Sequence, residues 1–223
     1  MPVRKPRTSA LTPLRGVLFD WDGTLLNSYD ADQTAYLEMF REMGIPWTVE
    51  DLERHYSPDW YRVYRAAKLP PDRWAAADRR WRTHYAGHRP KLMPGARRVL
   101  SHVARDYDLG LVTSGDRSRV CRQLKLFGLW ETFGARVCGG DTDRRKPHPA
   151  PLFLALRRMN LPARDTIYVG DTPEDIEMAR AAGVRAAIAI FGPFPTAKRL
   201  RTANADVLLD HIQELPAALK KFS

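Results

Sequence analysis

Apolar residues along the chain fall into two alternating patterns. Short runs rich in β-branched and aromatic residues occur at 15–20 (RGVLFD), 109–113 (LGLVT), 166–170 (TIYVG) and 184–190 (VRAAIAI), with weaker ones at 135–138 and 206–209. Such runs read as buried strands. Between them the apolar positions switch to a helical period. Val120, Leu124 and Phe127 recur at i, i+4 and i+7 with Gly128 as a stop signal, and 150–159 and 173–182 also read as helices. Strands alternating with helices predict an α/β fold, a Rossmann-like doubly wound and mainly parallel sheet.

One spacing breaks the rhythm. The 91 positions from Asp22 to Thr113 far exceed the ~30 residues of one βαβ unit. Most of the excess has helical periodicity. Ala35/Tyr36, Met39/Phe40 and Met43 form one stripe ending at Gly44, and Trp74, Ala77, Trp81 and Tyr85 form another. Thr48 with Asp51 three positions later predicts a short capped helix between them. The chain therefore divides into a core of 1–26 and 93–223 and an all-helical cap of 27–92, with re-entry at "MPGA" (93–96) and a flexible tail over 1–14.

Composition narrows the function classes. With 44% hydrophobic residues and no apolar run of ~18, the chain reads as globular, without a membrane partner. The basic N-terminus has no apolar segment behind it and does not read as a signal peptide. Cys121 and Cys138 form no CxxC pair, so reduced thiols in a cytoplasmic protein are expected. The net charge of +10 suits small phosphorylated anions or nucleic acid, but the 36 basic residues are interleaved with acids and apolar groups, which argues against a nucleic-acid face.

The candidate chemistry sits at the predicted strand ends, where ligands bind in open parallel sheets. Asp20 and Asp22 are at i and i+2 of an extended segment and share a side, with Trp21 facing the other. Two such carboxylates repel, and with Asp171 at another strand end they form an oxygen-only set suited to Mg²⁺. Thr113 and Ser114 offer hydroxyl and backbone donors, and Lys146 a point charge for phosphate. Each also has a plain structural reading: an Asp-Gly turn, a strand end, a solvated lysine. Thr172, Pro173 and Asp175 read as a helix cap, so Asp175 has a structural duty that Asp171 lacks.

Taken in order, "DWDGT" (20–24), "VTS" (112–114), "KPHP" (146–149) and "VGDTPEDIEMARAAG" (169–183) resemble the motifs of the haloacid dehalogenase-like (HAD) hydrolase superfamily, on its phosphoglycolate phosphatase and β-phosphoglucomutase branch. The resemblance spans 20–183. It implies that Asp20 is the nucleophile and Asp22 the general acid and base. It implies further that Asp20, the Asp22 carbonyl and Asp171 hold Mg²⁺ with Asp175 in support, and that Thr113 and Lys146 hold the phosphoryl group. It also implies a cap inserted after the first motif. Trp21 replaces a usually aliphatic residue and Asn27 a frequent aspartate.

The implied activity is a Mg²⁺-dependent phosphatase acting on a small phosphorylated metabolite. Asp22 disfavours dehalogenation. A phosphomutase is the nearer alternative, and a non-catalytic binding protein the alternative from another class. Substrate choice is expected in the cap loop "HYSPDWYR" (55–62), with Arg62 meeting a substrate anion and Trp60 or Tyr61 stacking on it, unless Trp60 and Tyr64 simply face the cap core.

Overall fold

The computed structural model describes residues 12–223. The expected tail at 1–14 lies mostly outside them. Its last residues belong to the core: Leu14 is buried, and Thr12 donates a 2.6 Å hydrogen bond to Asp165.

Strand β1 (Gly16–Phe19) starts the core, and β2 (Leu26–Asn27) follows the first motif. The cap comprises α1 (Tyr29–Glu42), α2 (Val49–His55), α3 (Trp60–Ala66) and α4 (Trp74–Ala86). Strand β3 (Lys91–Leu92) leads back through α5 (Ala96–Val103), β4 (Asp108–Asp116), α6 (Arg117–Leu126), β5 (Ala135–Gly139) and α7 (Ala150–Met159). The chain ends with β6 (Thr166–Gly170), α8 (Pro173–Ala182), β7 (Ala186–Ile190), α9 (Ala197–Arg201), β8 (Val207–Leu209) and α10 (Leu215–Leu219).

Six strands form one parallel sheet in the order β5-β4-β1-β6-β7-β8. The alternation within each strand explains why both faces are covered. Val17 and Phe19 point into an apolar layer with Val99, Val120 and Leu215, whereas Leu18 points into the opposite layer with Leu152, Ile176 and Ala179. Because β4 and β6 flank β1 on either side, the chain reverses direction across the sheet at β1. Phe19 lies level with both Leu111 and Val169, which draws three carboxyl ends together at the crevice where such sheets bind ligands.

Two strand limits differ from expectation. Arg185 bonds back to Thr166 ahead of β7, which starts at Ala186, and β4 runs on to Asp116 through a register shift after Val112.

The cap has its own core, in which Met39, Phe40, Leu52, Val63 and Tyr64 are buried together. The capping box at Thr48 and Asp51 starts α2 as expected. Leu26 pairs with Leu92 and Asn27 with Lys91 in an antiparallel ribbon, so the two chain crossings between cap and core run side by side. Cys121 and Cys138 are free thiols. Among the described residues no helix is long and apolar enough to cross a membrane.

Candidate active site

The first motif turns sharply after β1. The Asp20 amide continues the ladder to the Val169 carbonyl at 2.9 Å, and Trp21 then turns into the core, its Nε1–H donating to Gln123 at 2.9 Å. Trp21 therefore packs rather than narrowing the entrance. Asp20 and Asp22 both line the cavity between core and cap. Gly23 has φ +82°, and a Cβ there would lie 2.2 Å from Asp171 Oδ2, so only glycine lets the loop pass over that carboxylate.

Behind this turn the carboxylates of Asp20, Asp171 and Asp175 each place an oxygen within 4.8 Å of the others. Lys146 Nζ bridges two of them, at 2.8 Å from Asp20 and 2.7 Å from Asp175. One ammonium against three buried carboxylates leaves negative charge uncompensated. Burial, offset in part by Lys146, pushes the Asp20 carboxyl up to about 7, and burial together with Asp20 carries Asp171 well above its ordinary range. Burial opposes the charge on Lys146, but Asp175 and Asp20 outweigh it and raise its pKa. Asp171 Oδ1 accepts from Thr24 at 2.8 Å, while its buried Oδ2 has no partner. An orphaned carboxylate oxygen within a charge-deficient, all-oxygen set fits a hard divalent cation.

The same geometry divides the labour among the aspartates. Asp175 is both a cap and a mount. Its Oδ2 accepts from the Thr172 amide and hydroxyl, and its Oδ1 accepts from Lys146 and from Tyr168 Oη–H at 3.1 Å. With both oxygens so engaged, its main contribution is to hold Lys146 and to supply charge. Asp20 keeps Oδ2 clear of these bonds.

Asp22 is gripped by a residue that the sequence did not single out. Arg119, in the first turn of α6, donates to Oδ1 at 2.9 Å and to Oδ2 at 2.7 Å. Burial alone would raise the Asp22 carboxyl, but this guanidinium holds it below the ordinary range. Arg119 also reaches Tyr85 Oη at 3.3 Å and Gln123 at 3.2 Å, and lies 4.8 Å from the Tyr85 ring centre. It thus ties the Asp22 carboxylate to the cap. Asp32, at the foot of α1, is a second addition, pushed up to about 7 by burial and by Asp22. One sequence signal pointed to Arg119: with Gln123 it forms an i, i+4 polar pair beside the apolar Val120–Leu124 pair.

Thr113, buried, and Ser114 line the cavity near Asp20, and Thr113 Oγ1 accepts from the Gly115 amide at 3.0 Å. The cavity has a volume of about 300 Å³, and Tyr36, Tyr56, Trp60, Tyr61, Tyr64 and Trp81 make its cap wall aromatic. Arg62 is not in that wall. It lies half-exposed at the outer cap–core seam, 3.9 Å from Glu174, which Arg199 holds at 3.0 Å. The reason is helical phase: once Trp60, Tyr61 and Tyr64 face inward, the residue between them points elsewhere.

Residues 17–189 match the model of the haloacid dehalogenase-like hydrolases. A phosphoglycolate phosphatase of Xylella fastidiosa is 31% identical over 94% of both chains. An N-acetylmuramic acid 6-phosphate phosphatase of Pseudomonas putida is 30% identical over 91% of this chain and 94% of that one. The solved structure of a hydrolase from Pseudomonas syringae superposes with a TM-score of 0.83 at 20% identity, over 94% of this chain and 99% of the other, and so shares the fold. Motif order, site geometry and family match agree, and the chain belongs to the haloacid dehalogenase-like hydrolases, on the branch of the phosphoglycolate phosphatase-like enzymes.

Proposed function

We propose that the protein is a Mg²⁺-dependent phosphatase that hydrolyses a small phosphate ester through an aspartyl-phosphate on Asp20. The observation that carries this reading is the cluster of Asp20, Asp171 and Asp175 with Lys146 inside it, a buried site two charges short of neutrality at the bottom of a cavity. Phosphoryl transfer asks a protein chiefly for alignment and charge neutralisation. Mg²⁺ held by Asp20, the Asp22 carbonyl and Asp171 would supply the missing positive charge beside the transferring group. Lys146, Thr113 and Ser114 would hold the phosphoryl oxygens. Asp20 Oδ2 would then attack phosphorus while the bond to the leaving oxygen breaks.

Asp22 would protonate that oxygen, then take a proton from the water that cleaves the acyl phosphate and regenerates Asp20. As held by Arg119 it is an ionised base, ready for the second half. Proton donation in the first half requires Arg119 to yield one oxygen.

The relatives include phosphatases of phosphoglycolate and of N-acetylmuramic acid 6-phosphate, so both esters belong in the first trial. Phosphate release is measured for wild type and Asp20→Asn, with Mg²⁺ and with EDTA. Release that needs both Asp20 and Mg²⁺ is the expected result. Release that survives either loss overturns the mechanism.

A further inference from the structure

Among the described residues, Arg145 is a cavity cation held on aromatic rings with a buried, unpartnered donor. Arg145 precedes Lys146 in the same core loop and lines the cavity. Its guanidinium carbon lies 4.3 Å from the Trp60 ring centre and 4.2 Å from that of Tyr61, both in the first turn of α3. Two aromatic faces fix the plane of the fork, so little rotamer freedom is left to lose on binding. Nε is buried without a partner, and Nη1 comes only to 4.0 Å from the Asp59 carboxylate, beyond hydrogen-bond reach. The neighbouring cations differ from Arg145: Lys146, beside the cavity, bridges two carboxylates, Arg119 grips Asp22, and Arg82 is more than half exposed, 3.7 Å from Asp116.

A planar, immobilised guanidinium with free N–H groups is a receptor for a two-oxygen anion. The transferring phosphoryl group has its own seat at Lys146, Thr113 and Ser114, so Arg145 is available to a second acidic group. Its neighbours restrict where that group can go. Asp32 and Asp78 also line the cavity, Asp78 within electrostatic reach of Arg145, and repel an anion placed beside them.

We propose that Arg145 selects the substrate, recognising a carboxylate on the leaving group of the phosphate ester. The proposal rests on the phosphatase reading for the site and adds the residue that reads the ester's acidic group. Because Arg145 belongs to the core and its aromatic mount to the cap, a carboxylate seated there also draws on contacts that hold the two together.

The test compares esters that differ in little but the carboxylate: glucuronic acid 1-phosphate with glucose 1-phosphate, and phosphoglycolate with 2-hydroxyethyl phosphate. Wild type should favour the carboxylated member of each pair that it turns over. Arg145→Met should cut kcat/KM for that member about 30-fold, mainly through KM, and for the neutral member less than about 3-fold, the range of a charge-assisted hydrogen bond. Arg145→Lys should restore part of the loss. A parallel fall for both members, or a wild-type preference for the neutral ones, overturns the proposal and leaves Arg145 as a cap mount. Calorimetric binding of the same esters to Asp20→Asn, with and without Arg145→Met, separates the two readings. If wild type releases no phosphate from any ester, the phosphatase reading fails. If the carboxylated esters bind no better than the neutral ones, or bind as well without Arg145, the selectivity claim fails, whatever the turnover.

Discussion

The core and cap sides of the cavity solve the problem of buried polarity in opposite ways. On the core side, charges are packed against charges: Lys146 bridges Asp20 and Asp175, and Thr24 and Thr172 donate to the neighbouring carboxylates. The cap side instead offers aromatic faces, and the core residue Arg145 rests on the rings of Trp60 and Tyr61. The first arrangement is rigid, because any displacement strands a buried charge and costs about 3–5 kcal/mol. The second tolerates change, since contacts between cations and aromatic faces are worth only about 0.5–2 kcal/mol and have no single geometry. A rigid charge cluster and an adaptable aromatic wall can therefore share one cavity. Arg119 belongs to both, holding Asp22 with its fork while lying over the ring of Tyr85.

That contrast can be broken by substitution, beginning on the core side. Asp20→Asn should lower kcat by at least about a thousandfold if the proposed covalent intermediate forms on Asp20. Steady-state phosphate release with Mg²⁺ measures it. Asp22→Asn should cost about 100-fold or more in kcat, the usual scale of general acid–base catalysis, while calorimetry finds Mg²⁺ affinity little changed. A large loss of metal binding would mean that the Asp22 carboxylate, and not only its carbonyl, meets the ion.

Arg119→Met tests the residue shared by the two sides. It leaves Asp22 buried without its compensating cation, so the carboxyl should rise from its depressed value. About a tenfold fall in kcat is expected, with the acidic limb of the pH–rate profile shifted upward. An unmoved profile would reduce Arg119 to a structural tie. Arg62→Ala, at the outer seam, should alter kcat/KM by no more than about twofold, because Arg62 is half-exposed and Arg199 still compensates Glu174.

Stability against pH provides the gentlest test. Asp20 titrates near 7 in the folded protein against 3.8 for the free side chain, so the folded state binds the extra proton. Stability of the metal-free protein should therefore be highest below about pH 4 as far as this group is concerned, and fall as pH rises towards 7. Mg²⁺ binding only the ionised folded form should flatten that slope, so the increase in Tm on adding Mg²⁺ should be larger at pH 8 than at pH 5. An equal increase at both pH values would place the ion away from Asp20.

Local signals made the core legible from sequence. The runs at 166–170, 150–159 and 173–182 coincide with β6, α7 and α8, because strand and helix periods depend on neighbours within a few residues. The candidate set Asp20, Asp22, Thr113, Lys146 and Asp171 was picked out on the same local grounds, each residue marked by its place at a strand end or adjoining loop. Asp175 shows the limit. Its capping role is local and was visible, whereas its bond to Lys146 joins residues 29 apart in the chain. The cap was legible as helices but not as a surface. Arg62 and Arg145 carry the same charge, but the phase of α3 turns Arg62 to a carboxylate seam, while Arg145, on a core loop, lines the cavity.

The sequence by itself determined the alternation of strands and helices, the helices inserted after the first motif and the ordered motifs of the candidate site, since all of these are written in periodicity and in short-range turn and cap residues. The tertiary structure alone decided which cations meet which carboxylates: Arg119 on Asp22 across 97 positions, Lys146 on Asp20, and Arg145 on no carboxylate within hydrogen-bond reach. The chain is rich in arginine, and composition cannot rank one guanidinium above another. Burial does so, by making each pairing expensive to lose and each unpaired group available to a ligand.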